Sequence, residues 1–172
     1  ARAWPSPRRV RAYQPALAIQ GSAKIAPDPS VRRARLDELE LVMPASVAMF
    51  TEEYGYSPLG SGGAYGARVR QLVELGRCFV RIDEGPTGPR VVFKAEIGAF
   101  ALGVAQLQGV WVHPDYRGQG LGKSGTSAVV DHALSAGAST VSLYVNDYNT
   151  TARRTYRRVG FAQVGSYATI VC

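Results

Sequence analysis

Cysteine is nearly missing from this chain, with two in 172 residues. Cys78 lies inside the apolar run Cys78-Phe79-Val80 and Cys172 is the last residue, which predicts one buried and one loose terminal thiol and excludes a disulfide framework or a CxxC-type metal or redox site. Lysine is scarce too, outnumbered by arginine 17 to 3. No apolar run approaches the ~20 residues that span a bilayer. The opening Ala1-Arg2-Ala3-Trp4-Pro5-Ser6-Pro7 has no hydrophobic block behind its arginines, so no signal peptide is visible and a soluble, cytoplasmic protein is expected. The absent initiator methionine agrees with a processed or truncated chain.

What is present suits one globular domain: 46% hydrophobic and 19% charged residues support a real core and exclude a disordered tail or collagen-like fibre. The net charge of +7 sits entirely in residues 1–35, where eight basic side chains face Asp28 alone; the rest of the chain is neutral. Charge confined to one end reads as a solvated terminal segment, so neither nucleic acid nor a membrane is expected as partner. Residues 1–30 hold Pro5, Pro7, Pro15, Pro27 and Pro29 without periodicity and are expected as an extended lead-in or linker remnant, ahead of one domain over residues 31–172.

Within that domain the pattern predicts a short strand at 31–34 and a helix over 37–53 that Pro44 kinks or divides. A loop follows over 55–63, then a second helix over 64–75 stopped by Gly76. Strands at 78–83, 90–97 and 104–112 form a meander. A helix over 120–135, a strand at 140–145, a helix over 150–159 and a strand at 162–171 complete a mixed α/β sheet with a β-α-β unit in its second half.

The informative stretch is the strand, turn and helix start from Val110 to Ser124, with glycines at 118, 120 and 122. A glycine turn opening a helix leaves backbone N–H groups unpaired beside the positive end of the helix dipole, an arrangement that binds phosphate. A packing-driven β-α connection is the plain alternative. A P-loop would need glycine where Arg117 stands. The dinucleotide fingerprint occurs as Gly120-Leu121-Gly122-Lys123-Ser124-Gly125, but it begins too far past the strand.

The pattern R-x-x-G-x-G at Arg117, Gly120 and Gly122 resembles the acetyl-CoA pyrophosphate loop of the GNAT superfamily of N-acetyltransferases. A second block, Asn149-Thr150-Thr151-Ala152 followed by Tyr156, Gly160 and Phe161, resembles that family's N-x-x-A-x-x-x-Y-x-x-x-G-F segment. The resemblance covers about residues 31–172. It is nearest to actinobacterial members that carry an extra N-terminal domain of unknown function.

The resemblance implies a mostly antiparallel sheet with splayed central strands and flanking helices, binding acetyl-CoA without a metal. The backbone of Val110 and Val112 would bond the pantetheine arm, and Gly118, Gly120 and Gly122, with Arg117 and Lys123, would hold the pyrophosphate. Asn149 is either a pantetheine ligand or a helix N-cap. Tyr156 would protonate the departing thiolate, although its spacing also suits a core residue. The base is expected at Glu96, with Glu52 and Glu53 as further candidates and His113 as a bystander; Tyr54 and Tyr56 would line the acceptor side. The implied activity is direct acetyl transfer to a primary amine of a small molecule or peptide. A non-catalytic acyl-CoA-binding regulatory module is the alternative, and the oligomeric state is left open.

Overall fold

The computed structural model describes residues 9–60 and 62–171; the expectations for the first eight residues and for Cys172 lie outside the described residues. Eleven helices and strands carry the fold: β1 (Arg9–Ile19), β2 (Arg32–Arg33), α1 (Leu39–Tyr54), α2 (Ala64–Glu74), β3 (Cys78–Gly85), β4 (Gly88–Ala101), β5 (Val104–Val112), α3 (Leu121–Ser135), β6 (Thr140–Tyr144), α4 (Thr150–Val159) and β7 (Ala162–Val171). They build one sheet in the order β2-β3-β4-β5-β6-β1-β7. Every neighbouring pair is antiparallel except β5 with β6. Among the described residues, no helix is long and apolar enough to cross a membrane.

The lead-in expected over residues 1–30 is corrected over Arg9–Ile19, where β1 lies between β6 and β7 and pairs with both. Its core-facing residues Leu17 and Ile19 stand opposite Leu143 and Val141. Only that brief alternation marks it as a strand, and Pro15 argues against one. Pro15 is tolerated because register shifts flank it and because its carbonyl still accepts from the N–H of Val145 at 3.1 Å.

Two cores flank the sheet. On one side Val42 and Ala45 of α1 and Val69, Leu72 and Val73 of α2 bury against Cys78, Val80, Val91 and Trp111. Helix α1 runs as one element through Pro44, so the expected division does not occur: one N–H···O bond is forgone, and burial of Val42, Ala45 and Ser46 holds the helix on both sides. Helix α2 ends in a Schellman motif, with Gly76 at φ +63° and the N–H of Arg77 donating to the carbonyl of Leu72 at 2.8 Å. On the other side α3 lies so close to the sheet that a Cβ on Gly125 would stand 2.6 Å from the Phe93 ring.

The start of α1 is fastened to β2 by a buried carboxylate. Arg32 donates to Glu38 at 2.9 and 2.6 Å and holds its carboxyl down to about 2, against the opposing pull of burial. Because the folded value lies below the ordinary carboxylate value of 4.5, this stabilisation is present above pH 4.5 and is lost as pH falls toward 2. Glu38→Gln is expected to cost about 2 kcal/mol at neutral pH. Urea midpoints of the two proteins should then converge between pH 4.5 and 2.

Candidate functional site

The two parallel strands part company early. Pairs Val104↔Thr140, Ala105↔Val141 and Gln106↔Ser142 complete the β5/β6 ladder. Beyond them β5 bulges: Lys94 faces Trp111 and Glu96 faces Gln108, so the stretch with Gly109 and Val110 carries an extra residue. Gly109, within this bulge at φ +58°, adopts a conformation that side-chain-bearing residues avoid. A cavity of about 260 Å³ fills the gap between Gln108–Trp111 and Leu143–Asn146, with Tyr156 of α4 and Glu52 and Glu53 of α1 on its walls.

This gap opens on one side into a larger cavity of about 670 Å³, walled by Gly118, Gly120, Gly122 and Lys123 of the turn before α3 and by the first turns of α4. Gly120, at φ +90°, caps α3 without any side-chain bond, which leaves first-turn N–H groups for a ligand. Asn149 lies on the shared wall of the two cavities, and its Oδ1 accepts from the N–H of Ala152 at 3.1 Å, so it is the N-cap of α4. Arg117 also lines the outer cavity, but its side chain is committed elsewhere. It donates through Nε to the Val112 carbonyl at 2.9 Å and clamps both oxygens of Glu52 at 3.0 and 2.8 Å. The indole of Trp111 adds a third bond to Glu52, so this carboxylate spans the boundary between gap and outer cavity.

On the other side the gap meets a third chamber, about 230 Å³, where Phe50, Tyr54, Tyr65 and Tyr144 surround Glu53 and Glu96. Glu96 is buried, with Lys94 Nζ donating to one oxygen and Gln108 Nε2 to the other at 3.1 Å. Burial pushes the neighbouring Cys78 thiol up to about 11, with Lys94 opposing and Glu96 reinforcing. Glu53 faces both the gap and the chamber and accepts from Arg11 of β1 at 2.9 Å. Arg11 in turn lies 4.7 Å over the ring of Tyr54.

Tyr156 is 8% exposed and stands on the wall shared by the gap and the outer cavity. Burial raises its hydroxyl well above the usual phenol value, and the Glu53 carboxylate pushes the same way. A phenol held protonated is a hydrogen-bond donor across the neutral range. The structure therefore brings Val110, Val112, Arg117, Gly118, Gly120, Gly122, Lys123, Asn149 and Tyr156 around one groove, with Glu96 in the adjoining chamber. His113 lines none of the three cavities; its Nδ1 accepts from the N–H of Asp115.

Two site residues went unread in the sequence. Arg11 and Gln14 both belong to β1, and Gln14 is buried on the wall of the gap, donating to Asn146 Oδ1 at 2.9 Å. Recognising the alternation of Leu17 and Ile19 as a strand was the signal that would have exposed them.

Comparison with known proteins agrees with this fold. A family model described as acetyltransferase (GNAT) family matches residues 26–161, and one described as a domain of unknown function, DUF4081, matches residues 1–42. The chain is 35% identical over 89 residues to a mycothiol acetyltransferase of Cellulomonas flavigena, covering 52% of this chain and 24% of that protein. It is 28% identical over 137 residues to the peptidyl-lysine N-acetyltransferase YjaB of Salmonella typhimurium, covering 79% and 85%. Among solved structures, a GNAT-family acetyltransferase of Colwellia psychrerythraea superposes with a TM-score of 0.71 at 16% identity, over 95% of this chain and 57% of that one. The chain spans about a quarter or less of the mycothiol acetyltransferases it matches.

Proposed function

The chain belongs to the acetyltransferase (GNAT) family, and from that membership we propose that it transfers an acetyl group from acetyl-CoA to a primary amine of a small molecule or peptide. Both substrates would be held at once, with no metal, in a cytoplasmic protein. The observation that supports this most is the continuity of the groove: a glycine turn at a helix start, a strand gap and an aromatic chamber with carboxylates adjoin through shared wall residues, with Tyr156 and Glu53 on the walls of the central gap.

The roles follow from the chemistry of each segment. Free N–H groups of the turn, with Lys123, suit the pyrophosphate. The unpaired stretch of β5 around Val110 suits the pantetheine arm and acetyl carbonyl, where backbone N–H groups would stabilise a developing oxyanion. Acetyl-CoA supplies the activated acyl carbonyl. Tyr156 would give its proton to the thiolate as the C–S bond breaks. Only a neutral amine attacks, so a base must take the ammonium proton. We assign this to Glu53, which faces both the gap and the chamber, and place Glu96 behind it because Lys94 and Gln108 already hold both of its oxygens. Glu53→Gln is expected to lower kcat/KM by roughly 10²-fold in a thiol-release assay, as loss of a general base does.

Thermal unfolding tests the donor directly. Acetyl-CoA at 100 times its Kd should stabilise the fold by about 2.7 kcal/mol, a rise of several degrees in Tm, while Mg-ATP should not. Absence of a shift with acetyl-CoA sinks the reading. A shift without thiol release on any amine would instead support the regulatory module.

A further inference from the structure

The aromatic chamber is organised around Phe50, which stacks on Tyr54 at 4.4 Å and meets the edges of Tyr56 and Tyr65 at 5.5 and 5.1 Å. Tyr65 is fixed by a 2.8 Å bond from its hydroxyl to the carbonyl of Ser46. Three charged side chains line the chamber: Glu53, Glu96 and Arg68. Each carboxylate is neutralised from inside the protein, Glu53 by Arg11, which is 8% exposed, and Glu96 by Lys94, which is wholly buried. Arg68 is different. Its two hydrogen bonds go to neutral acceptors, Gln71 Oε1 at 2.7 Å and the Gly98 carbonyl at 3.2 Å, and among the described residues it forms no ion pair.

Counted with the cations behind its carboxylates, the chamber carries a net positive charge, and the unpaired part of it is Arg68, in the middle of α2. A bare alkylammonium would leave the Arg68 guanidinium without a counterion and would add to the surplus of positive charge, and a polyamine would add more. An amine that also carries a carboxylate would balance the site, placing the anion on the guanidinium and its apolar body against the rings.

We infer that the acceptor is an amine whose body also bears a carboxylate, and that Arg68 receives that carboxylate at the rim of the aromatic chamber. This rests on the transfer function proposed above.

The test compares matched acceptors at saturating acetyl-CoA: 4-aminobutyrate against butylamine, 6-aminohexanoate against hexylamine, and phenylalanine against phenethylamine. A lysine peptide with a neighbouring aspartate, set against its asparagine counterpart, separates a peptide-borne carboxylate from a free one. In at least one pair the carboxylate-bearing member should have a kcat/KM roughly fivefold to tenfold higher, carried mainly by KM. Arg68→Gln should bring that ratio close to one, and Arg68→Lys should restore part of it. Ratios near one in the wild-type protein, or a ratio that survives Arg68→Gln, would overturn the proposal. An equilibrium readout keeps this separate from catalysis: with CoA bound, 3-phenylpropanoate should raise Tm more than 3-phenylpropanamide, and Arg68→Gln should abolish the difference. If no amine releases thiol but this difference is seen, the anion site stands and the transfer function falls. Equal shifts with acid and amide would count against the site.

Discussion

Replacing Tyr156 by Phe is expected to lower kcat on the order of 10²-fold or more while changing acetyl-CoA affinity by less than about twofold. The ring keeps its edge contact with Phe161 at 5.9 Å and its place in the core, so the variant should fold like the parent. What is lost is one hydroxyl at the wall between the strand gap and the outer cavity. A departing thiolate needs a proton or a hydrogen bond, and a phenol whose pKa is raised by burial remains a donor at any pH where the protein is assayed. The alkaline limb that Tyr156 imposes therefore lies above the ordinary phenol value of 10.0, and the neutral range should be flat with respect to it. Tm and acetyl-CoA titration confirm the fold; single-turnover thiol release reads the chemistry. An unchanged rate would leave Tyr156 as a packing residue only.

The second large effect is on stability. Lys94 is wholly buried and Glu96 is 5% exposed, and they pair two residues apart on the same face of β4. Glu96→Leu leaves an ammonium without a countercharge inside the sheet, which should cost about 3–5 kcal/mol and lower Tm by roughly 10 °C. The double variant Lys94→Met/Glu96→Leu removes both charges and should recover most of that loss, since apolar residues of similar volume often replace buried pairs at no net cost. The double variant also separates structure from chemistry at Glu96. If it is stable and retains kcat, Glu96 served to hold the chamber wall; if it is stable and slow, the carboxylate shares the proton transfer with Glu53. A single Glu96→Leu variant as stable as the parent would show that Lys94 finds another partner or a neutral form.

Much of this is legible in the sequence. The helix over 150–159 and the strand over 162–171 stand where their periodicity placed them, as α4 and β7. The glycine turn ahead of α3 was legible because its requirements are local: positive φ at Gly118 and Gly120 and a helix start within a few residues. Asn149 illustrates the limit. Its position before Thr150 allowed two roles, and the structure gives it the cap while also placing it on the groove wall.

The sequence by itself determined the family resemblance, the order of elements after residue 30 and the glycine turn that forms part of the outer cavity's wall. Tertiary structure alone decided the rest: that β1 enters the sheet, that Arg11 and Gln14 reach the site, that Arg117 holds Glu52, and that Glu96 is locked by Lys94 and Gln108. The reason is physical. Turns, caps and amphipathic faces are set by neighbours along the chain, whereas a chamber's charge depends on which distant side chains the sheet brings within 3 Å, as when Arg11 meets Glu53 at 2.9 Å.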